Sequence, residues 1–246
     1  MKGTFNLFSR IRVKMNGYNS VESSAYFIYK CYARTKSGLF FFMFLFVISC
    51  NEKTQHHEKN GFMMVEAESF TSQRADEGRH WYVIDSAFSE DIPGFKENYS
   101  SSASGGKYLM LLPDTRVTHD DTLIHGKNFS NEPGKIAILD YPIYFENPGK
   151  YYVWVSTYST GSEDNGVHVG INGQWPENGA RMQWCKGKNQ WTWASKQRTK
   201  EQHCGVERQI YLEIPKKGLH TISFSMREDG FRFDRFALSR EYIKPE

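Results

Sequence analysis

From residue 135 to residue 238 the chain is a succession of short segments in which apolar and polar residues alternate, each ended by glycine, proline or asparagine. Period-two alternation places apolar side chains on one face of a strand, whereas an amphipathic helix needs them at i, i+3, i+4 and i+7. No segment sustains the helical spacing. Residues 135–143, 151–158, 167–171, 209–215, 220–226 and 231–238 read as strands. The third runs into Asn172-Gly173, a strong hairpin turn, and the fourth into Lys216-Lys217-Gly218. Short strands at regular spacing predict an all-β fold, an antiparallel β-sandwich of the jelly-roll kind.

Upstream, residues 39–48 form an apolar run preceded by Lys30, Arg34 and Lys36 and followed by Ser49-Cys50 and a polar stretch. The run is shorter than the ~20 residues a spanning helix needs. A basic region, a short apolar region and a small residue before the cut make a secretory signal. The Ser49-Cys50 end resembles the bacterial lipobox. It implies cleavage before Cys50, acylation of its thiol, and an exported lipoprotein of the cell envelope, periplasmic or at the cell surface, touching a membrane only through its lipid. The reading divides the chain into a signal region 1–50, a flexible tether 51–61 without apolar content in its first ten residues, and one folded domain 62–246.

Seven of the 31 basic residues but only one of the 28 acidic ones lie in residues 1–50, leaving 24 basic against 27 acidic beyond Cys50, a net charge of −3. The precursor's pI of about 8.5 therefore belongs to its leader. An exported part with no basic excess argues against nucleic acid as a partner. Of the four cysteines, Cys185 and Cys204 remain in the domain, and in an oxidising compartment they are expected to pair.

Loops on rigid sandwiches commonly carry function. Residues 158–166 form a polar loop after a strand, with Tyr158, Asp164 and Asn165, and Trp175, Arg181, Trp184, Trp191 and Trp193 follow. Sugars offer flat C–H faces and rings of hydroxyls, which aromatic rings and Asp, Asn and Arg side chains respectively match. Trp184 and Trp191 are expected to form an aromatic platform, with Asp164, Asn165 and Arg181 as hydrogen-bonding neighbours. Trp154, inside an alternating segment, is expected in the core.

Four features in order resemble the galactose-binding-like carbohydrate-binding modules of families 6 and 35. Met64-Val65-Glu66-Ala67-Glu68 is similar to their first strand, and Gly105-Gly106-Lys107-Tyr108 to their Gly-Gly-x-Tyr. Gly187 through Trp193 is similar to their Gly-x-x-Trp-x-x-Trp, with one residue rather than two between the tryptophans. Residues 218–222 and 231–236 are similar to their last two strands. The resemblance spans about residues 64–238. It implies a structural calcium ion held by Glu66, Glu68 and Asp234, a sugar-stacking role for Trp191, and polar sugar contacts from the Arg227–Gly230 loop, namely Arg227 and Asp229.

The implied activity is non-catalytic binding of a polysaccharide or oligosaccharide. The alternative is a small jelly-roll hydrolase or lyase. A glycosidase needs two carboxylates facing across a cleft, for which Glu163, Asp164, Glu177, Glu228 and Asp229 are candidates. A lyase would use His168 with Arg181. No Gly-x-Ser-x-Gly is present.

Overall fold

The computed structural model describes residues 56–76 and 78–246. Cys50, the apolar run before it and residues 51–55 of the expected tether lie outside the described residues.

Fifteen strands and four short 3-10 turns make up the described chain, in the order β1 (His56–His57), β2 (Phe62–Glu66), β3 (Ser72–Arg74), β4 (His80–Ile84), β5 (Tyr108–Leu112), β6 (Ile138–Phe145), β7 (Gly149–Tyr158), β8 (Gly166–Ile171), β9 (Met182–Gln183), β10 (Trp191–Ala194), β11 (Lys196–Gln197), β12 (Val206–Glu207), β13 (Tyr211–Ile214), β14 (Gly218–Met226) and β15 (Arg232–Ser239). The first sheet runs β1-β6-β14-β8-β9-β11-β12, with β3 also on β6. The second runs β10-β7-β15-β5-β4, with β13 on β7 and β2 on β15. All pairings are antiparallel except β1 with β6. The fold is the antiparallel β-sandwich that the alternation predicts.

The core follows the alternation. Leu139, Tyr141, Ile143 and Phe145 of β6, Ile222, Phe224 and Met226 of β14, and Val167 and Val169 of β8 meet Tyr151, Val153 and Val155 of β7, Leu109 and Leu111 of β5, and Phe233, Phe236 and Leu238 of β15. Removing each such side chain from water contributes about 1.5–3 kcal/mol. The polar tips that enter the core are satisfied: Trp81 Nε1 donates to Ala137 O at 2.8 Å and Tyr141 OH to Ala67 O at 2.6 Å.

The expected tether is corrected for residues 56–61. His56 and His57 pair with Ile143 and Tyr144. Glu58 is fully buried and accepts hydrogen bonds from Gly61 N, Glu146 N, Asn147 N and Asn147 Nδ2. Burial disfavours its charge, but those hydrogen bonds outweigh it and hold the carboxyl below its ordinary pKa. A segment without apolar residues is thus anchored by backbone pairing and one carboxylate that caps the β6–β7 turn.

Candidate functional site

The second sheet has two different faces. On β7 the core takes Tyr151, Val153 and Val155, so Tyr152, Trp154, Ser156 and Tyr158 lie on the outer face. Trp154, expected in the sandwich core, is therefore outside it; it is buried instead against Tyr242, 4.8 Å between ring centroids. On β10 Ala194 faces the core, and Trp191 and Trp193 share the outer face. Residues 85–107 fold over the β4–β5 half of this face, where Phe88, Ile92, Phe95, Tyr99 and Ala103 pack on Ile84, Tyr108, Met110 and Leu112.

Trp191 sits half-buried where that cover ends. Its ring meets Tyr108 edge-on at 5.3 Å and its cross-strand partner Tyr158 at 5.5 Å. Its indole N–H donates to Ser102 Oγ at 3.2 Å. Tyr158 in turn stacks on Tyr99 at 3.9 Å and 19°. The Arg232 guanidinium lies 5.4 Å from the Tyr99 ring centre, which joins the aromatic patch to a cluster of charges.

That cluster is closed by ion pairs between loops. Arg232 pairs with Asp164 at 2.7 Å, Arg79 with Asp229 at 2.8 Å, Arg116 with Glu163, and Arg227 lies 3.9 Å from Glu228. Burial pushes Asp164 up, but the Arg232 charge and hydrogen bonds from Thr160 and Ser159 bring it below the usual carboxylate range. Asp114 has no such partner. Burial and then the negative charge of Asp229 raise it to about 7, with Arg232 opposing. Its Oδ1 is buried without a hydrogen bond. Gly230 (φ +72°) packs so closely that a Cβ there would lie 2.4 Å from Asp114 Oδ2, so only glycine fits. Five carboxylates thus face four guanidiniums; burial also raises the Glu228 pKa against the opposing Arg227 charge, and Asp114 is the carboxyl left without an arginine of its own.

The structure brings Tyr158, Asp164 and Trp191 into one neighbourhood and corrects the expectation for the others. Trp184 is no platform: it is 2% exposed, belongs to the sandwich core against Phe231, and donates Nε1 to Thr192 O. Asn165 is buried beneath it, donating to Trp184 O and receiving from Gln183 Nε2, with its backbone N–H on Glu228. Asp229 is fully buried and binds Arg79 and Thr115. Arg227 is buried against Phe129, and burial lowers its pKa to about 10. Arg181 holds Glu177 at 3.3 Å and gives its backbone N–H to His168 Nδ1. His168 is fully buried, and burial lowers its pKa to about 3. Its Nδ1 accepts, so Nε2 carries the proton toward Ser130 O. Loop polarity does not distinguish a solvent-facing polar side chain from one that ties loops together, and this is why Asp164, Asn165, Arg227 and Asp229 prove to be buried ties. Sequence reading also missed Tyr99, Ser102, Asp114 and Arg232. Arg232 precedes the Phe233-Asp234 motif, but its partners are 68 and 133 residues distant in sequence for Asp164 and Tyr99 respectively.

Glu66, Glu68 and Asp234 do approach one another. A register shift between Phe233 and Arg235 on β15 bulges Asp234 out of the ladder. Its Oδ1 accepts from Ser104 N and its Oδ2 from Ser156 Oγ, while Glu66 Oε1 accepts from Ser104 Oγ. Burial, then Glu66 and Asp234, raise the Glu68 pKa, and burial raises that of Asp234. Glu66 Oε2 and Glu68 Oε2 are buried without partners. Among the described residues no three His, Cys, Asp or Glu side chains close into a metal-binding group. Calcium also takes hydroxyl and backbone oxygens, and the two orphaned oxygens together with the mutual repulsion fit a hard cation.

Cys185 and Cys204 are joined, with Cα atoms 5.3 Å apart, tying the loop before β10 to the one before β12. The glycosyl hydrolase family 115 C-terminal domain model matches residues 96–245. The uncharacterized protein P23 of Formosa agariphila is 55% identical over 184 residues, which are 74% of this chain and 44% of that protein, so the chain spans less than half of that relative. A family 35 carbohydrate-binding module from Clostridium thermocellum is similar at 18% identity and TM-score 0.36, over 72% of this chain and 98% of that one. An exo-beta-1,3-galactanase from Phanerochaete chrysosporium is similar at 11% identity and TM-score 0.39, over 72% of this chain and 29% of that one. With the family model spanning more than half of it, the chain belongs to the glycosyl hydrolase family 115 C-terminal domain family.

Proposed function

We propose that this domain binds a polysaccharide or oligosaccharide without cleaving it, through Trp191, Tyr158 and Tyr99 beside the Arg232–Asp164 pair. The observation that carries this reading is the mounting of Trp191. Two tyrosine rings and the Ser102 hydroxyl hold it, yet its ring stays half-exposed. A side chain kept only for stability would be covered. A pre-oriented aromatic face loses little entropy on binding a sugar's C–H face. Support for binding over hydrolysis comes from the carboxylates. Of the five candidate carboxylates, Glu163, Asp164, Glu228 and Asp229 are under 9% exposed and each faces an arginine; Glu177 alone is exposed, which leaves no pair to flank a scissile bond from solvent. In affinity electrophoresis on a polysaccharide panel, Trp191→Ala should weaken retention about tenfold with melting nearly unchanged. Reducing-sugar release by the unaltered chain on the retained polysaccharide would defeat the non-catalytic reading.

Two further parts belong to this proposal. Calcium, held by Glu66, Glu68 and Asp234, would neutralise three facing carboxylates and fix β2 to β15 beside Ser104, two residues from the Ser102 that orients Trp191. Cys50 would carry a lipid that displays the domain on the cell envelope, periplasmic or at the cell surface. Cys50→Ser should release the protein from the membrane fraction, and unchanged lipid labelling would refute the anchor.

A further inference from the structure

Beyond Trp191 the outer face of the second sheet stays aromatic. Trp193 lies on β10 opposite Ser156, with the Arg235 guanidinium 5.4 Å from its ring centre. Along β7, Tyr158, Ser156, Trp154 and Tyr152 succeed one another at every second residue, a row about 20 Å long at ~3.4 Å per residue. Tyr211 on β13 sits opposite Tyr152, and Lys150 Nζ lies 3.9 Å from its ring centre. Trp191, Trp193, Tyr152, Tyr158 and Tyr211 are all half-buried, none sealed and none fully exposed. A second observation concerns Trp154. It is 6% exposed and its Nε1 is buried without a hydrogen-bond partner, a donor left unsatisfied in the middle of the row. Tyr242 covers it, packing on both Trp154 and Tyr152 and donating its hydroxyl to Ser195 O at 3.1 Å.

An aliphatic patch of this size would suit a protein partner. Here Trp193 and Tyr211 sit beside the cation heads of Arg235 and Lys150, and Tyr242 carries the aromatic surface over the buried Trp154. That pattern matches a ligand that presents flat C–H faces and acceptor hydroxyls repeatedly along its length.

We infer that the site at Trp191 is one end of an extended groove running over Trp193 toward Tyr152 and Tyr211, and that the ligand is an internal stretch of a glycan chain several sugar units long rather than a chain end. This inference rests on the sugar-binding reading and specifies which part of a polymer is bound.

The test uses the full chain and a ladder of oligosaccharides, disaccharide to octasaccharide, prepared from whichever polysaccharide of the panel is retained. Affinity should rise at least about tenfold from disaccharide to octasaccharide. Trp193→Ala and, on the edge strand, Tyr211→Ser should each remove most of that gain while leaving disaccharide affinity unchanged. Trp191→Ala should weaken every length. Tyr211 lies outside the core cluster, against Tyr152 and Lys150, so Tyr211→Ser reports on binding even if Trp193→Ala fails to fold. Affinity independent of length, or octasaccharide binding indifferent to both variants, overturns the groove and leaves the site at Trp191 standing. Retention of no polysaccharide by the unaltered chain overturns the sugar-binding reading and the groove with it.

Discussion

Trp184 and Trp191 stand seven positions apart, and the second sheet separates their fates. Trp184 enters the sandwich interior against Phe231 and finds a backbone carbonyl for its indole N–H. Trp191 lies on the outer face, braced by tyrosines and a serine hydroxyl but not covered. The same contrast runs along β7, where Tyr151, Val153 and Val155 face inward and Tyr152, Trp154, Ser156 and Tyr158 outward. The inner face is selected for volume and hydrocarbon. The outer face keeps rings that carry a polar handle, in positions where packing orients them without sealing them. Two indoles of identical chemistry are thus a buried core element and a partly exposed one, according to which side of one sheet they occupy.

The comparison breaks most readily at Trp184. Trp184→Ala should cost about 3–5 kcal/mol of stability, measured by denaturant unfolding, and any loss of sugar binding should track the folded fraction. A small loss would mean that Trp184 is not the core residue described.

The charged loop end sharpens the contrast, because there burial costs energy instead of supplying it. Asp114 is raised to about 7 in the folded protein, by burial and by Asp229. A raised carboxyl holds its proton in the folded state when the unfolded chain has lost it. Its stabilising contribution is therefore complete below the ordinary aspartate range and disappears as pH climbs to about 7. Asp114→Asn keeps the neutral form at all pH values. It should gain ~4 kcal/mol over the unaltered protein at pH 8 and nothing near pH 3, read from melting curves across pH. Parallel pH profiles for the two proteins would show that Asp114 does not titrate abnormally.

On the outer face, chelation probes the carboxylate group at the Asp234 bulge. If calcium binds there at about a hundred times its dissociation constant, a chelator should remove ~2.7 kcal/mol, seen as a fall in melting temperature reversed by added calcium. No shift, together with no metal in elemental analysis, would leave Glu66 and Glu68 as unpaired carboxylates. The smallest effect on stability is expected at Trp191. Trp191→Ala should change it by less than ~1 kcal/mol while binding falls about tenfold. A large loss of stability would place Trp191 with Trp184 and erase the distinction between the faces.

Much of the fold was legible because alternation is a local property. Residues 151–158 and 231–238 announce their inward and outward sides through neighbours two positions apart. The pairing of Cys185 with Cys204 was legible from their being the two cysteines of the expected domain. The arrangement around Trp191 was legible in part: residue type and loop position put Tyr158 and Trp191 in one segment, and the structure sets their rings side by side on the outer face. Asn165, Trp184, Arg227 and Asp229 were misassigned because their types suit both a sugar contact and a buried tie. Residues 56–61 were misread for the converse reason, since a polar segment can be anchored by one buried carboxylate, Glu58, as firmly as by hydrophobic contact.

By itself the sequence determined that the chain forms a sandwich of short antiparallel strands, because strand periodicity and turn chemistry are written in adjacent residues. Only the tertiary structure decided which tryptophan faces solvent, which carboxylates are neutralised by arginine, and which one, Asp114, is left over. Those outcomes depend on burial and on partners such as Arg79 with Asp229, 150 residues apart in the chain, and a charge or a ring acquires its role from the dielectric and the neighbours that folding gives it.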